Sequence, residues 1–320
     1  MPDSSAPDFD LAIIGAGAAG LSIAAGAVQL GASVALIERA RMGGDCLNTG
    51  CVPSKALLAA AHAAKAVRTA ARFGITTSEP IIDWDHLRSH VHATIATIAP
   101  TDSEARFRAL GATVLHGEAS FRDPATITID GRSVTASRTV IATGSRPAVP
   151  PIQGLDQVPH WTNDSLFDLT EKPDHLLILG GGPFGLEMAD AFAALGCRVT
   201  LLDSARIAAK EDPELAAGLR QALTARGVTI HERTQLTQVT PGPVLHLADG
   251  TQIEGSHLLV AAGRTPDLAA LNLPAGNIQA TPAGIATDHG LRSLTNKRVY
   301  AAGDIADPVG LGPRAFTHVG

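Results

Sequence analysis

The stretch Leu11-Ala12-Ile13-Ile14-Gly15-Ala16-Gly17-Ala18-Ala19-Gly20 joins a continuous apolar run to a glycine-rich turn. A short, uninterrupted apolar run is typical of a strand that is buried on both faces of a parallel sheet. The three glycines have the spacing that a dinucleotide-binding turn requires. Gly15 suits the tight turn, Gly17 lets a pyrophosphate approach the backbone, and Gly20 lets helix and strand pack closely.

The residues after this turn complete the same pattern. An Ala-rich helix is predicted to run to about Leu30, where Gly31 ends it, and a second strand over Ser33–Ile37 leads to Glu38. The phosphates of a dinucleotide would lie at the N-terminus of that helix, and the Glu38 carboxylate would accept hydrogen bonds from a ribose diol. Because strand, turn, helix and acid occur together, the pattern predicts a dinucleotide site.

The same unit recurs 165 residues further along the chain. A strand over His175–Leu179 leads into the turn Gly180–Gly185, a helix follows to Leu195, and a strand over Arg198–Leu202 ends at Asp203. In both units the first glycine lies 23 residues before the acid. Packing alone would not keep the glycines and the acid in step twice. The sequence therefore predicts two bound dinucleotides, one of which can reduce the other.

The remaining segments favour an α/β fold with a small antiparallel element. Trp84–Leu110 is predicted to be helical with a break at Pro100, Asp212–Arg226 is predicted to be a helix, and the proline-rich segment Pro147–Pro159 is predicted to be a linker. Short strands are expected at Thr113–His116, Thr126–Ile129 and Val134–Ala136, which would form the antiparallel element, and at Thr139–Ala142, Val228–Thr237, Val244–Leu247, Gln252–Ile253, His257–Ala262 and Arg298–Ala302.

The composition argues against several classes of partner. The 320 residues carry a net charge of −6 and no basic run, which disfavours nucleic acid and anionic membrane surfaces. Leu11–Ile37 contains no charged residue, but five glycines interrupt it, so we expect no membrane span. Three cysteines do not make a secreted disulfide framework, and Met1–Asp10 lacks the basic segment of a signal peptide. We therefore expect a cytoplasmic protein.

Two of the three cysteines lie in Gly43-Gly44-Asp45-Cys46-Leu47-Asn48-Thr49-Gly50-Cys51-Val52-Pro53-Ser54-Lys55. A regular helix would place their Cα atoms about 8.6 Å apart, whereas a disulfide needs roughly 4.4–6.8 Å. If the two cysteines pair, the backbone between them cannot be plain helix. The alternative is two reduced cysteines without a role, because two cysteines are too few for a zinc site.

A helix is expected to begin at Pro53 and to run to about Arg72. Cys51 would then lie at a helix N-terminus, where the dipole and the backbone N–H groups favour a thiolate. Lys55 would add a positive charge one turn further in. A disulfide that closes a small loop beside a cation would be redox-active rather than purely structural.

These motifs resemble the class I pyridine nucleotide–disulfide oxidoreductases, which include dihydrolipoamide dehydrogenase, glutathione reductase and mercuric reductase. The matching segments cover nearly all of the chain in the family's order: Gly15–Gly20 with Glu38, Gly43–Lys55, Ala142–Pro147, Gly180–Glu187 with Asp203, Gly263–Pro266 and Ala302–Asp304. The resemblance implies that the first unit binds FAD and the second binds NAD(P), with NAD favoured by Asp203.

The resemblance also implies roles for individual residues. Cys51 would be the thiolate on the flavin side, Cys46 would attack the substrate, and Lys55 and Glu187 would pair where hydride reaches the flavin. No metal is expected, and Cys197 would be a small buried hydrophobe. The expected cofactor contacts are Gly15, Gly17, Ala18, Ala19, Gly20, Glu38, Arg39, Gly44, Asp45, Lys55, Ala119, Thr143, Gly144, Ser145, Asp304 and Thr317 for FAD, and Gly180, Gly182, Pro183, Phe184, Gly185, Glu187, Asp203, Val239 and Gly263 around the second site.

Three features depart from the family pattern. Position 45 is Asp where the family usually has Thr, and an anion is unexpected beside the flavin phosphates. Position 183 is Pro where the reductases often place a tyrosine over the flavin. The sequence ends at Gly320, so we expect the family's dimerisation domain, with its His-Glu acid–base pair, to be absent; His318 matches a cofactor-side position instead.

We therefore predict a three-layer α/β protein with two Rossmann-like domains. The FAD-binding domain would span residues 1–153, the NAD(P)-binding domain 154–272, and a return segment 273–320. The predicted activity is that of a flavoprotein resembling dihydrolipoamide dehydrogenase that acts on a small disulfide or another oxidised acceptor. The alternatives are a mercuric ion reductase-like enzyme and a truncated cofactor-binding module without turnover. A homodimer is expected of the full-length family member.

Overall fold

The computed structural model describes residues 6–308, which form two compact units. Unit 1 contains the residues up to Asn48, Ala96–Arg146 and the residues from Arg264 onward, and unit 2 contains Thr49–Ile95 and Pro147–Gly263. Thr317, predicted to contact the flavin, and His318 lie outside the described residues. Among residues 6–308, no helix has both the length and the apolar composition that crossing a bilayer demands.

The helices and strands of the described residues are numbered in chain order. The helices are α1 (Ala18–Gln29), α2 (Gly44–Asn48), α3 (Cys51–Thr69), α4 (Trp84–Ile98), α5 (Glu104–Leu110), α6 (Pro183–Ala194) and α7 (Pro213–Ala225). The strands are β1 (Phe9–Ile14), β2 (Val34–Glu38), β3 (Thr113–His116), β4 (Ala119–Phe121), β5 (Thr126–Ile129), β6 (Arg132–Ile141), β7 (Ser145–Pro147), β8 (His175–Leu179), β9 (Arg198–Leu202), β10 (Thr229–His231), β11 (Leu236–Thr240), β12 (Val244–Leu247), β13 (Gln252–Glu254), β14 (His257–Val260), β15 (Arg264–Pro266), β16 (Ala280–Thr281), β17 (Gly284–Thr287), β18 (Val299–Ala301) and β19 (Ala306–Pro308).

Unit 1 is built on a parallel sheet in the order β3-β2-β1-β6, and β18 continues it alongside β6. β2 buries all five of its residues and β1 buries its last three, because both faces of this sheet are covered. Phe107 of α5 and Leu36 of β2 are almost fully buried in one apolar cluster, and Phe121 and Ile141 are buried in another. The strand order is that of one half of a dinucleotide-binding fold.

Unit 2 repeats this arrangement with a parallel sheet in the order β10-β9-β8-β14. All five residues of β8 are buried, as its continuous apolar sequence predicts. α7 begins where Asp212 accepts hydrogen bonds from the N–H groups of Glu214 and Leu215, and Pro213 occupies its first turn. The hairpin predicted around Asp249 forms from β12 and β13, with β11 on its other side.

The compact units differ in their boundaries from the predicted domains. Residues 49–95, which the prediction placed in the FAD-binding domain, group with unit 2 because α3 packs along α6. Ala61 of α3 and Met188 of α6 are fully buried in the same apolar cluster. Leu155 and Val158, in the segment predicted to be a linker, are buried in unit 2 as well. The assignment of each cofactor to a stretch of chain stays a prediction.

Two strand predictions are corrected in unit 1. Thr113–His116 is not part of the antiparallel element but pairs in parallel with β2, because it follows the helix α5 and returns to the sheet in the same direction. Val134–Ala136 and Thr139–Ala142 are one strand, β6, not two. Its first half pairs antiparallel with β5 and its second half pairs in parallel with β1 and β18.

Two predictions around turns are also corrected. The helix expected to begin at Pro53 begins at Cys51, with Gly50 as its N-cap, and Pro53 occupies the third helical position, where its missing N–H has no helical partner to lose. The strand expected over Val228–Thr237 is broken into β10 and β11, because the backbone turns at Arg233, which has a φ of 52°.

Candidate functional site

The glycine turn of unit 1 packs two of its glycines tightly and leaves the middle one open. A Cβ on Gly15 would lie 2.4 Å from the Ala142 carbonyl oxygen, and one on Gly20 would lie 1.9 Å from the Gly15 carbonyl oxygen. A Cβ on Gly17 would meet only the Cα of Gly44, at 3.7 Å. The outer glycines therefore hold the turn against the sheet and the helix, while the face of Gly17 has room for a phosphate.

The glycine turn of unit 2 has the same construction. A Cβ on Gly180 would lie 2.2 Å from the Ala261 carbonyl oxygen, and one on Gly185 would lie 2.0 Å from the Gly180 carbonyl oxygen. Nothing lies within 4 Å of the corresponding position on Gly182. Gly17 and Gly182 are the N-caps of α1 and α6, and no side chain caps either helix. Both turns thus fit the pyrophosphate of a dinucleotide.

The acid that ends the second strand of each unit reaches back to the glycine turn. Glu38 accepts hydrogen bonds from the N–H groups of Ala16 at 2.7 Å and Ala40 at 2.8 Å. Asp203 accepts hydrogen bonds from Gly181 at 2.6 Å and Ala205 at 2.7 Å. In both units the bond to the turn spans 22 residues. The carboxylates are therefore held beside the turns, where a ribose would follow the pyrophosphate.

Further predicted contacts of unit 1 lie around its turn. Gly303 lies against Ala19, because its Cβ would be 3.2 Å from the Ala19 Cβ. This contact places the next residue, Asp304, near the first turn of α1. The Ser145 hydroxyl donates a hydrogen bond to the Asp304 carboxylate at 2.5 Å. Ala18, the first residue of α1, belongs to the same turn.

The residues after β6 are tied to the segment after β15. The Thr143 hydroxyl donates to the Asp267 carbonyl oxygen at 3.0 Å, and the Gly144 carbonyl oxygen accepts from the Asp267 N–H at 3.1 Å. The Asp267 carboxylate also accepts a hydrogen bond from Arg39, which pairs with Glu118 at 3.5 Å. The predicted contacts Thr143, Gly144 and Arg39 thus share one partner.

Arg264 is a residue of this site that the sequence reasoning did not single out. Its guanidinium lies 3.0 Å from the Asp45 carboxylate and donates to the Ser145 hydroxyl at 2.7 Å. Asp45 follows Gly44, whose Cβ would lie 2.6 Å from the Gly17 Cα. The motif Gly263–Pro266 indicated the segment, but nothing in it pointed to Asp45. The anion that departs from the family pattern therefore has a cationic partner.

The two cysteines of the motif lie on successive helices that do not continue one another. Cys46 is the third residue of α2, and Cys51 is the first residue of α3; both are half-buried. Thr49 and Gly50 separate the helices, and Gly50 has a φ of −125° and a ψ of −108°. The backbone between the cysteines is therefore not plain helix, as a disulfide between them would require. Cys51 occupies the helix N-terminus as predicted.

Lys55 and Glu187 form an ion pair inside unit 2. The Lys55 ammonium lies 2.6 Å from the Glu187 carboxylate. Lys55 is on α3, one turn after Cys51, and Glu187 is on α6, two residues after Gly185 of the glycine turn. The side chains are 61% and 35% exposed, so the pair adds little to stability.

The other predicted contacts occupy varied environments. Pro183 is the first residue of α6, and Phe184 packs edge-on against Phe167. Val239 is buried in an apolar cluster with Leu202, the last residue of β9. Ala119 is buried in β4, and the N–H of Ala148 donates to the Gly263 carbonyl oxygen.

Cys197 is buried and has no place in this site. Burial raises the pKa of the Cys197 thiol to about 12, so it stays protonated at neutral pH. Within residues 6–308, no cluster of three or more His, Cys, Asp or Glu side chains could hold a metal ion.

A family model described as pyridine nucleotide-disulphide oxidoreductase matches residues 9–318. The chain belongs to this family. The match covers both glycine turns and the two cysteines, and members of the family use FAD and a pyridine nucleotide. The paired turns described above fit these two cofactors.

Relatives of known name share much of the sequence. A mercuric reductase from Streptomyces lividans is 42% identical over 313 residues, covering 93% of this chain and 65% of the relative. A mercuric reductase from Shigella flexneri is 38% identical, covering 93% of this chain and 55% of the relative. The chain thus spans between about half and about two thirds of the length of these relatives.

A solved structure of similar fold is the HOCl-induced flavoprotein disulfide reductase RclA from Escherichia coli. It shares 27% sequence identity with a TM-score of 0.82, and the match covers 92% of this chain and 66% of RclA. The α/β fold with two Rossmann-like sheets is therefore confirmed. That protein is named as a flavoprotein disulfide reductase, in agreement with the family assignment.

Proposed function

We propose that this protein is an FAD-dependent oxidoreductase in which electrons pass between NAD(P)H, FAD and a Cys46–Cys51 disulfide. The observation that carries the proposal is the Lys55–Glu187 ion pair. It joins the helix that begins at Cys51 to the helix that begins at the nucleotide turn of unit 2, both inside one compact unit. Membership of the family supports the same chemistry.

The residues divide the work as follows. The N–H groups at the start of α1 and α6 receive the two pyrophosphates, and Glu38 and Asp203 receive the riboses. The N-terminus of α3 stabilises a Cys51 thiolate, and Lys55 adds positive charge one turn further along. FAD supplies the capacity to accept a hydride and to pass its two electrons to a disulfide. One hydride from the nucleotide and one proton from solvent convert the disulfide to two thiols.

Two acceptors are candidates for the reduced cysteine pair. One is a small disulfide of the lipoamide type, which thiol–disulfide exchange with Cys46 would reduce. The other is mercuric ion, which takes up two electrons and which soft thiolates bind well. The named mercuric reductases among the relatives favour this second candidate. Within residues 6–308, Cys197 is buried, and Cys46 and Cys51 are the thiols to which we assign this role.

An acceptor panel tests the proposal. The FAD-loaded protein would be reduced with NADH without oxygen and then offered lipoamide, glutathione disulfide and mercuric chloride, while the return of the visible flavin absorbance is followed. We expect at least one acceptor to reoxidise the flavin of the wild type. In Cys46→Ser the same acceptor should reoxidise the flavin more slowly, because the disulfide route is missing. Equal rates in wild type and Cys46→Ser would contradict the disulfide route. A protein that binds FAD but is not reduced by NADH or NADPH would be a cofactor-binding module.

We also propose that the full-length protein is a homodimer, as the resemblance to the family implies. Sedimentation of the full-length protein would test this, and a single monomeric species would contradict it.

A further inference from the structure

One guanidinium lies between two carboxylates in unit 1. Arg264 Nη2 is 3.0 Å from Asp45 Oδ2, and Arg264 Nε is 3.8 Å from Asp304 Oδ2. Ser145 completes the group: its hydroxyl accepts from Nε at 2.7 Å, its carbonyl oxygen accepts from Nη2 at 2.8 Å, and it donates to Asp304. Two negative charges and one positive charge thus form a single network.

This network borders the glycine turn that receives the pyrophosphate. Asp45 follows Gly44, which is in contact with Gly17, and the N–H of Gly43 donates to the Ala16 carbonyl oxygen at 2.9 Å. Asp304 lies near the same turn, because the preceding Gly303 lies against Ala19. Both carboxylates therefore lie near the place where a dinucleotide would put two further negative charges.

Negative charges that lie close together in a protein repel one another unless a nearby cation offsets them. We infer that Arg264 is an FAD-positioning residue: it offsets the Asp45 and Asp304 carboxylates so that the turn of unit 1 can accept the FAD pyrophosphate, and Asp45 creates the need for it. The inference rests on the proposed function, in that FAD is the ligand of unit 1. It adds a residue, and a dependence between two residues, that the family assignment does not supply.

A purely structural role for the pair would behave differently. If the Asp45–Arg264 contact only tethered α2 to β15, removing either partner would loosen the turn and weaken FAD binding alike. If Arg264 offsets charge, the effects have opposite signs. The network carries a net charge of −1 in the wild type, −2 in Arg264→Gln, 0 in Asp45→Asn and −1 in the double variant. FAD affinity should follow this order.

The test is a titration of FAD-free protein with FAD, read by quenching of flavin fluorescence. We expect Arg264→Gln to weaken binding roughly three- to thirtyfold, Asp45→Asn to bind at least as tightly as the wild type, and the double variant to return to within about threefold of the wild type. Arg264→Lys should keep most of the affinity because it keeps the charge. At about 1 M salt the deficit of Arg264→Gln should shrink, because salt screens the repulsion.

Arg108→Gln is the matched control, since Arg108 likewise joins a carboxylate, Glu104, and a backbone carbonyl in unit 1. It should leave FAD affinity unchanged, and urea unfolding of each variant would separate lost binding from lost folding. Weaker binding in Asp45→Asn, or a double variant as weak as Arg264→Gln, would overturn the inference while leaving FAD binding by the wild type intact. A wild type that binds no FAD would overturn the proposed function as well.

Discussion

At the scale of single residues, the glycines of each turn have separable duties. Gly20 has no room for a side chain, because its Cβ would lie 1.9 Å from a backbone oxygen, whereas Gly17 has ordinary dihedral angles and an open face. A methyl group on Gly17 would therefore occupy the space of the ligand and not that of the protein.

We expect Gly17→Ala to fold normally and to lose at least tenfold in FAD affinity, about 1.4 kcal/mol. Gly20→Ala should instead unfold at lower urea concentration, because the turn must move to relieve the clash. Urea unfolding and FAD titration on both variants would check this contrast. Unchanged FAD affinity in a folded Gly17→Ala would show that the pyrophosphate does not approach this face.

The two motif cysteines should respond differently to replacement. Cys51 begins α3, one turn before Lys55, where a thiolate is favoured; in the proposed function this thiolate contacts the flavin. Two-electron reduction of the wild type should therefore give a long-wavelength absorbance band between this thiolate and the oxidised flavin. Cys46→Ser, which has no disulfide to reduce, should show the band before any reduction, and Cys51→Ser should not show it. Cys197→Ser should leave the band unaltered, since that thiol is buried. A band present in both motif variants would contradict the assignment.

Residue-scale prediction succeeded where spacing carries the information and was incomplete where distant segments meet. The repeated distance from glycine to acid located Glu38 and Asp203 beside their turns. The partners of Arg264 come from three separate stretches of chain, around residues 45, 145 and 304, and no local pattern brings these together.

At the scale of elements, uniform hydrophobic runs predicted strands well, and changes of partner along a strand did not show in the sequence. β8 is buried along its whole length and was predicted within its observed bounds. β6 was divided in two because its pattern changes where its neighbours change from β5 to β18. The chain turns at Arg233, between β10 and β11, with a positive φ. The sequence did not predict this turn, because a positive φ is expected at glycine or asparagine rather than at arginine.

The end of β9 should decide which nucleotide is used. The Asp203 carboxylate suits a free ribose hydroxyl and repels a 2′-phosphate, while the Arg206 guanidinium donates to the carbonyl oxygens of Ala209 and Glu211. We expect NADH to reduce the flavin faster than NADPH. In Asp203→Asn the ratio of the NADH rate to the NADPH rate should fall about tenfold, because the repulsion of the 2′-phosphate is lost. Arg206→Gln is the control: because this guanidinium already binds backbone carbonyl oxygens, its loss should leave the ratio of the two rates unchanged. Stopped-flow reduction rates would check this, and a wild-type preference for NADPH would contradict it.

The sheet of unit 2 should be sensitive to acid. The pKa of His175 lies below its ordinary value, chiefly because burial disfavours the imidazolium and also because Arg198 is near, and its Nε2 contacts the Thr200 hydroxyl. The unfolded chain binds the proton more readily, so this contribution to stability is complete above about pH 6.5 and falls as the pH drops, by at most about 1.4 kcal/mol per pH unit for one proton.

We therefore expect the urea midpoint to fall less between about pH 7.5 and pH 5.5 in His175→Gln than in the wild type. His90→Gln, which removes an exposed histidine of α4, should leave the loss unchanged. The same loss in all three proteins would show that His175 does not carry the effect. His257, whose pKa burial also lowers, remains in every variant.

At the scale of the whole molecule, two similar units share one construction. Each has a parallel sheet, a glycine turn with an open middle glycine, and an acid that bonds to that turn. The predicted domain limits followed sequence order. The sequence did not reveal that α3 packs against α6, because more than 100 residues separate the two helices in the chain.

The most direct test is anaerobic reduction of the FAD-loaded protein by NADH, with the visible flavin absorbance and the number of thiols measured on the same sample. With at least two equivalents of NADH, which supply the four electrons that the flavin and the disulfide together take up, we predict loss of flavin absorbance and a gain of two thiols, from Cys46 and Cys51, over the oxidised protein. Gly182→Ala should keep its FAD and show neither change, because the added methyl group fills the nucleotide face of unit 2. FAD-loaded wild-type protein that is not reduced by either nucleotide, or that is reduced without gaining thiols, would contradict the account.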